Sequence, residues 1–127
     1  MRSDFSIKFS ALMAACSIAL ALPMGAQAAD LGLTPAGGAV SGSCSEVALS
    51  CENGRQYPVC PIGVSVAGEI VTATLQLAPR RSAYVRLVPM GVGYRYIGKG
   101  FWFDGLRDNA LLHLDKDSSV SCTVLGL

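Results

Sequence analysis

Apolar and polar residues alternate along most of the chain after position 46. In residues 70–77, apolar side chains at the odd positions alternate with Thr72, Thr74 and Gln76, which is the period of a half-buried β-strand. Shorter apolar or alternating runs predict further strands at residues 46–51, 56–60, 62–66, 83–88, 94–97, 101–103, 110–114 and 119–125. Frequent Gly and β-branched residues disfavour helix, and residues 106–112 are predicted to hold at most one helical turn. About eight short strands with turns every eight to twelve residues predict a small antiparallel all-β barrel or sandwich.

Turn residues separate the predicted strands. Asn53-Gly54 is the strongest hairpin signal, because both central positions of a type I′ turn favour positive φ. Pro58 has no backbone N–H to donate, so it predicts an edge or irregular strand for residues 56–60. Ala67-Gly68 and Asp104-Gly105 predict two further turns.

The first 28 residues have the features of a secretory signal peptide. Arg2 and Lys8 make the start basic, an apolar run follows over residues 9–22, and Ala26-Gln27-Ala28 has the small-x-small pattern of a cleavage site. The apolar run is shorter than the roughly 20 residues of a membrane span. We therefore expect cleavage after Ala28 and a periplasmic or secreted protein with no membrane span.

The N-terminal region has two further features, a motif close to a lipidation site and a segment with the composition of a flexible leader. Met13-Ala14-Ala15-Cys16 is close to a lipoprotein box, in which Cys16 would be lipidated. The Met in place of the usual Leu and the apolar residues after Cys16 disfavour this alternative. Residues 29–43 are rich in Gly, Ala, Ser and Pro without periodicity, which predicts a flexible leader before a domain at residues 44–127.

Charge is balanced in the chain after the signal peptide. Two of the ten Lys and Arg residues and one of the nine Asp and Glu residues fall within residues 1–28, so residues 29–127 carry eight of each. A net charge of zero argues against bulk electrostatic binding to nucleic acid or to an anionic membrane. A local basic patch stays open, because Arg80-Arg81 and Arg86 lie close in sequence.

Four cysteines follow the signal peptide, at positions 44, 51, 60 and 122. An even number in a short exported chain predicts two disulfides, for which three pairings are open, Cys44–Cys51 among them. A bond from the first strand to the last would close a long loop and stabilise a domain whose core is small. This argument favours Cys51–Cys122, and Cys44–Cys60 would then clamp the first hairpin.

Residues that could carry catalysis are sparse. His113 is the only histidine, and the alternation places it on the solvent face of its strand. The Asp residues after position 100 fall at predicted turns, where Asp is common. Oxidised cysteines offer no thiolate, and their spacing does not match paired zinc ligands. The Gly91-x-Gly93 pair is not followed by a helix, as a dinucleotide site requires. We expect a non-enzymatic protein with no metal and no cofactor.

Residues 93–105, GYRYIGKGFWFDG, hold two of the four Tyr, two of the four Phe and the only Trp. One interpretation is a core hairpin, in which Tyr96, Phe101 and either Phe103 or Trp102 fill the barrel. The other is a binding surface, formed at one end of the barrel by the loops before and after this stretch. The two interpretations are compatible if they apply to different residues.

Several short motifs occur in a fixed order: Leu49-Ser50-Cys51, Asn53-Gly54, Gly93-Tyr94-Arg95-Tyr96, Phe101-Trp102-Phe103-Asp104-Gly105, Ala110-Leu111-Leu112 and Cys122. Their order resembles that of the periplasmic inhibitors of C-type lysozyme, the MliC/PliC kind. That family runs Tyr-x-Cys with a Gly-bearing turn, Ser-Gly-x-x-Tyr, Phe-Trp-x-Lys-Gly, Ala-x-Leu and a final Cys. Here Leu49 replaces the first Tyr. The resemblance covers roughly residues 46–124.

The resemblance implies an eight-stranded antiparallel barrel that blocks the lysozyme cleft by inserting loops, here residues 90–93 and 103–107. In the family, a loop Ser and a Lys reach the catalytic carboxylates of lysozyme, and the matching positions are Val92 and Asp104. Val92 cannot hydrogen-bond through its side chain, and Asp104 would repel acidic groups.

We therefore expect Val92, Gly93 and Asp104 in the partner-binding loops, with Lys99 or Arg107 supplying the cation. The alternative is a binding or adhesion module that uses the same barrel for a different partner.

Overall fold

The computed structural model describes residues 32–44 and 46–127. They contain eight strands: β1 (Val47–Cys51), β2 (Gln56–Val64), β3 (Ile70–Ala78), β4 (Arg81–Pro89), β5 (Tyr94–Ile97), β6 (Trp102–Leu106), β7 (Asn109–Asp115) and β8 (Ser118–Leu125). Each strand pairs antiparallel with the next, and β8 pairs with β1, so the sheet closes into a barrel. The predicted all-β antiparallel barrel is confirmed.

Side chains alternate between the interior and the surface along the strands, except at the β2–β3 bulges, because successive residues of a strand point to opposite faces. The interior holds apolar side chains from all eight strands, including the fully buried Leu49, Val59, Leu75 and Phe103. Burial of these apolar side chains supplies most of the stabilising free energy of the fold, because protein interiors pack about as densely as organic crystals.

The helical turn predicted within residues 106–112 is wrong, because the described residues contain no helix. β6 continues to Leu106, Arg107 and Asp108 form a tight turn, and β7 begins at Asn109. The Asp108 carbonyl accepts a hydrogen bond from Val124 N at 2.7 Å. The turn is therefore tied to the neighbouring strand β8.

Strand β2 combines two predicted strands into one. Pro58 lies opposite Ala48 of β1, and β3 pairs on the other side of β2, so the predicted edge strand is wrong. Pairing over residues 56–60 is also regular, so the predicted irregularity is absent there; the β2–β3 register shifts further along, on both sides of Gly63. Bulges offset the alternation of side chains. In keeping with this, Ile70 is fully buried and Val71 is 38% exposed, against the predicted pattern.

The turn between β1 and β2 is not the predicted type I′ turn. Gly54 has a φ of 78°, but Asn53 is not among the described residues with positive φ. Gly54 N donates to the Cys51 carbonyl, and Cys51 N donates to the Arg55 carbonyl, both at 3.0 Å. The Asn53 side-chain oxygen accepts from Arg55 N. One left-handed glycine is therefore enough for this longer hairpin loop.

The disulfides pair Cys44 with Cys60 and Cys51 with Cys122, as the sequence favoured. Cys51 and Cys122 are directly opposed on β1 and β8, and both are buried. Cys44 precedes β1, so its bond to Cys60 anchors the N-terminal segment to β2. The bond also links the two sides of the first hairpin at its open end, next to the Val47–Val59 pair, as predicted.

Part of the predicted flexible leader is packed against the barrel. Leu33 is buried in the core, its N–H donates to the Tyr96 hydroxyl, and its carbonyl accepts from Ile70 N, both at 2.9 Å. Ala36 N donates to the Gly126 carbonyl at 3.0 Å. Residues 32–36 therefore plug one end of the barrel, which the Gly-, Ala-, Ser- and Pro-rich composition of residues 29–43 did not indicate.

The predicted signal peptide, the lipidation site at Cys16 and residues 29–31 lie outside the described residues. Over residues 32–44 and 46–127, no helix is long and apolar enough to cross a membrane.

Candidate functional site

Successive connections of an up-and-down barrel alternate between its two ends. The connections after β2, β4 and β6 lie at one end, together with the Leu33 plug, and we call this the loop end. The connections after β1, β3, β5 and β7 lie at the other, which we call the turn end. The predicted site residues Val92, Gly93 and Arg107 are therefore together at the loop end. Lys99 is at the turn end, so the prediction that it belongs to the same site is wrong.

The β4–β5 loop rests closely on the β6–β7 hairpin. Gly93 has a φ of 74°, and a Cβ at this position would collide with the Gly105 carbonyl oxygen. A Cβ on Gly105 would in turn collide with the Asn109 carbonyl oxygen and crowd the Tyr94 hydroxyl. These two glycines allow the two backbones to approach each other. Val92 therefore stands on a rigid base while its own side chain is 74% exposed.

Arg107 is the cationic residue of the loop end that lies beside the β4–β5 loop. Its carbonyl oxygen accepts a hydrogen bond from the Tyr94 hydroxyl at 2.9 Å, which ties the tight turn to the barrel interior. Its φ of 56° is left-handed, an uncommon conformation for a residue with a side chain. The side chain is exposed. The backbone of Arg107 is thus fixed from inside while its charge is free to face a partner.

The Asp104-Gly105 pair predicts a turn, but Asp104 lies within β6, on the outer face of the barrel. It lies directly opposite Arg95 of β5, and Arg95 Nη2 is 2.7 Å from Asp104 Oδ2. His113 Nε2 lies 3.4 Å from the other carboxylate oxygen. Because Arg95 offsets its charge, Asp104 is less repulsive toward an acidic partner than the sequence implied.

Trp102 and Phe103 are adjacent on β6 but face opposite ways. Phe103 points inward and is fully buried, so it is the aromatic residue that fills the barrel with Tyr96 and Phe101. Trp102 points outward and stacks on His113, with 4.6 Å between ring centroids and 13° between the ring planes. His113 is on the outer face as predicted, but the stack leaves its side chain only 21% exposed.

Sequence reasoning missed Arg95 and the Trp102–His113 stack. Arg95 lies between two buried tyrosines of β5, so the sequence alone indicated that its side chain points outward. Its partner was not, because pairing with Asp104 depends on the register set by the turn at residues 98–101. The stack depends in the same way on the β6–β7 register, in which Trp102 and His113 are directly opposed.

Tyr94 and Tyr96 carry their hydroxyl groups through the core toward the loop end. Tyr96 donates to the Ile70 carbonyl at 2.6 Å and accepts from Leu33 N. Burial raises the pKa of both tyrosines well above the usual value, and the charges of Asp108 and Asp104 add to the effect at Tyr94. The hydrogen bond from Leu33 opposes the rise at Tyr96. The folded barrel therefore holds both phenols neutral.

Stability should fall in alkaline solution because these phenols ionise more readily in the unfolded chain. The unfolded pKa of tyrosine is about 10, so their contribution is complete below that pH and is lost as pH rises above it. We expect the free energy of unfolding, measured by denaturant titration from about pH 8 to about pH 11, to decline above about pH 10. The Tyr96→Phe protein should lose less over the same interval. Parallel pH curves for the two proteins would contradict this account.

The described residues contain no group of three or more His, Cys, Asp and Glu side chains that could hold a metal ion. The loop end presents the exposed Val92 on the β4–β5 loop and the exposed Arg107 on the β6–β7 turn, and the Arg95–Asp104 pair lies nearby across β5 and β6. Such an arrangement suits recognition of another molecule's surface. Comparison with known protein families, with curated proteins and with solved structures finds no match for this chain.

Proposed function

We propose that this protein is exported and that it blocks a C-type lysozyme by non-enzymatic binding through the loop end. One observation carries the proposal. Val92, Gly93, Asp104 and Arg107 are separated by up to 15 positions, yet they adjoin one another on β6 and the two connections beside it. The closed eight-stranded barrel is also the fold that the resemblance to the lysozyme inhibitors implies.

The proposed mechanism is insertion of the β4–β5 loop into the substrate cleft of lysozyme. Val92 would enter first, because it is the exposed side chain of a loop held close to Gly105. Arg107 would supply the cation that approaches the catalytic carboxylates, and the Arg95–Asp104 pair would lie beside it without adding net charge. Loops that are already ordered lose less conformational entropy on binding, which favours tight association.

The test is inhibition of an egg-white-type lysozyme acting on bacterial cell walls. The oxidised protein is titrated into the enzyme, and lysis should stop at near-stoichiometric amounts. A sample unfolded by reduction controls for nonspecific effects. If a folded, oxidised protein leaves lysis unchanged at a large excess, the lysozyme proposal is wrong.

Val92→Asp is expected to weaken inhibition by at least about tenfold, because it brings a carboxylate against the acidic residues of the cleft. Val40→Asp is the matched control, since Val40 is also exposed but lies in the segment before β1. It should inhibit like the unchanged protein. Equal inhibition by both variants would show that the β4–β5 loop does not enter the cleft.

Export should leave a mature protein that begins at Ala29, after cleavage at the Ala26-Gln27-Ala28 site. We expect the mass of the protein recovered from outside the cytoplasm to correspond to residues 29–127 with two disulfides. A protein that begins at Cys16 and carries lipid would support membrane anchoring instead.

A second candidate function is a binding or adhesion module for a different partner. It is favoured by the outer face beside Trp102, where Ile97 is 36% exposed and Leu111 is 37% exposed around the Arg95–Asp104 pair. Exposed apolar side chains beside charged ones are typical of interaction sites. Replacing both Ile97 and Leu111 with Ser separates the two functions, because the loop end would remain intact and lysozyme inhibition should not change.

A further inference from the structure

The turn end of the barrel holds a cleft that the proposed lysozyme site does not use. It measures about 450 Å³ and opens between the connections after β1, β3 and β5. Three cationic residues line it: Arg55 from the first connection, Arg81 at the start of β4, and Lys99 from the third. No acidic residue is among those that line it. The three charges converge although they are far apart in sequence.

These cations have no ion-pair partner within residues 32–44 and 46–127, where the ion pairs are those of Asp104 with Arg95 and with His113. The acidic residues of the turn end, Glu52 in the β1–β2 connection and Asp115 and Asp117 around the β7–β8 turn, are not among the residues that line the cleft. Asp115 accepts hydrogen bonds from Asp117 N at 2.8 Å and from the Ser118 hydroxyl at 2.9 Å. The three cations therefore form no ion pair among the described residues, and a bound anion would offset their charge.

The floor of the cleft is formed by apolar side chains. Tyr57 and Phe101 are almost fully buried there, and Leu77 and Leu114 complete the wall. The Tyr57 hydroxyl already accepts a hydrogen bond from the Asn53 amide at 3.0 Å, and the apolar surface left open to a ligand belongs to Leu77 and Leu114. A second cleft of about 450 Å³ adjoins the first, shares Arg55, Tyr57 and Leu77 with it, and continues between β2 and β3.

We propose that the turn end is a binding site for a small amphiphilic anion, with an acidic head group and an apolar body. The head group would lie among Arg55, Arg81 and Lys99, whose charged hydrogen bonds to an anion are stronger than neutral ones. The apolar body would contact Leu77 and Leu114 and extend into the adjoining cleft, whose lining is mostly apolar. The volume falls within the range of small-molecule sites, in which a few polar groups orient the ligand.

This site is independent of the lysozyme proposal, because it lies at the opposite end of the barrel and involves different connections. The length of β5, four residues, separates the two ends by about 13 Å along that strand. Failure of one proposal therefore leaves the other intact.

Anilinonaphthalene sulfonate is a suitable probe, since it joins a sulfonate head to an apolar fluorescent body. We expect the oxidised protein to bind one equivalent with increased fluorescence, and more weakly as salt is added, because salt screens exposed charges. Octanoate should displace the probe. Octanol and acetate should not displace it at the same concentrations, because each supplies only half of the required chemistry.

A double variant, Arg81→Gln with Lys99→Gln, should raise the dissociation constant of the probe at least about tenfold. The matched control is Arg86→Gln with Lys116→Gln, which removes the same charge from exposed positions outside this cleft. Lys116 lines the neighbouring cleft beside Trp102, which shares Gly100 and Phe101 with the proposed site, so this control reports binding in that cleft. Thermal unfolding of both variants should match that of the unchanged protein, because all four side chains are exposed.

Three results would overturn the proposal: no binding of the probe, equal loss of binding in the two double variants, or displacement by octanol as strong as by octanoate. Vesicles of anionic phospholipid distinguish a free ligand from a membrane surface. If the protein sediments with such vesicles while octanoate fails to displace the probe, the ligand is a lipid surface and the small-anion site is wrong.

Discussion

Phe103→Ala should lower the free energy of unfolding by about 4 kcal/mol, whereas Trp102→Ala should lower it by only about 1 kcal/mol. Phe103 is fully buried, and its ring stacks on Tyr96 with 4.9 Å between centroids and meets the edge of Tyr94 at 6.5 Å. Removing it leaves a cavity among side chains of a closed barrel, which cannot collapse to fill it. Trp102 loses the outer stack on His113, and the space it leaves is open to water.

Denaturant unfolding followed by far-ultraviolet circular dichroism measures both variants without depending on the only Trp. Positions 102 and 103 are adjacent in β6, so the two Ala substitutions have nearly the same effect on local strand propensity and on the neighbouring turns. A larger loss for Trp102→Ala than for Phe103→Ala would mean that β6 presents the opposite face to the core. Such a result would overturn the register between β5, β6 and β7 as well.

Removing the Cys51–Cys122 disulfide by substitution of both residues with Ala is expected to cost about 4 kcal/mol. The two cysteines are separated by 71 positions, so the bond closes almost the whole barrel and restricts the unfolded chain strongly. They are also opposed on β1 and β8, the strand pair that closes the sheet. A domain of this size has a total stability of about 5–15 kcal/mol, so the variant should be marginally folded at physiological temperature.

The matched control replaces Cys44 and Cys60 with Ala. That bond spans 16 positions, so its loss should cost about 3 kcal/mol in the same entropy model, and it lies outside the barrel closure. We expect the barrel to persist and the segment before β1 to become more accessible to protease. If the Cys44–Cys60 variant proves less stable than the Cys51–Cys122 variant, anchoring of the N-terminal segment contributes more than closure of the barrel.

The sequence by itself determined the class of fold. Period-two alternation and turn residues at short intervals are local properties, and the four cysteines after residue 28 are a matter of composition; each corresponds to a feature that the barrel retains. The alternation within single strands also separated inner from outer positions over most of β4, β5 and β7. The favoured disulfide pairing followed from the order of the strands and the length of the closed loop.

Local alternation was misleading where a strand carries an extra residue or a turn residue is absorbed into a strand. The bulges beside Gly63 exchange the faces of Ile70 and Val71, and β6 runs through the Asp104-Gly105 pair that had predicted a turn. In both cases hydrogen bonding to neighbouring strands decides the conformation. That information lies in residues distant in sequence.

The candidate sites depended on tertiary structure even more. The sequence placed Lys99 with Arg107 because the two are close along the chain, but one strand of the barrel separates them and assigns them to opposite ends. It gave no sign that Arg95 would offset Asp104, or that Lys99 would meet Arg55 and Arg81. Composition and periodicity determine which residues face outward, whereas closure of the sheet and its register determine which outward residues meet.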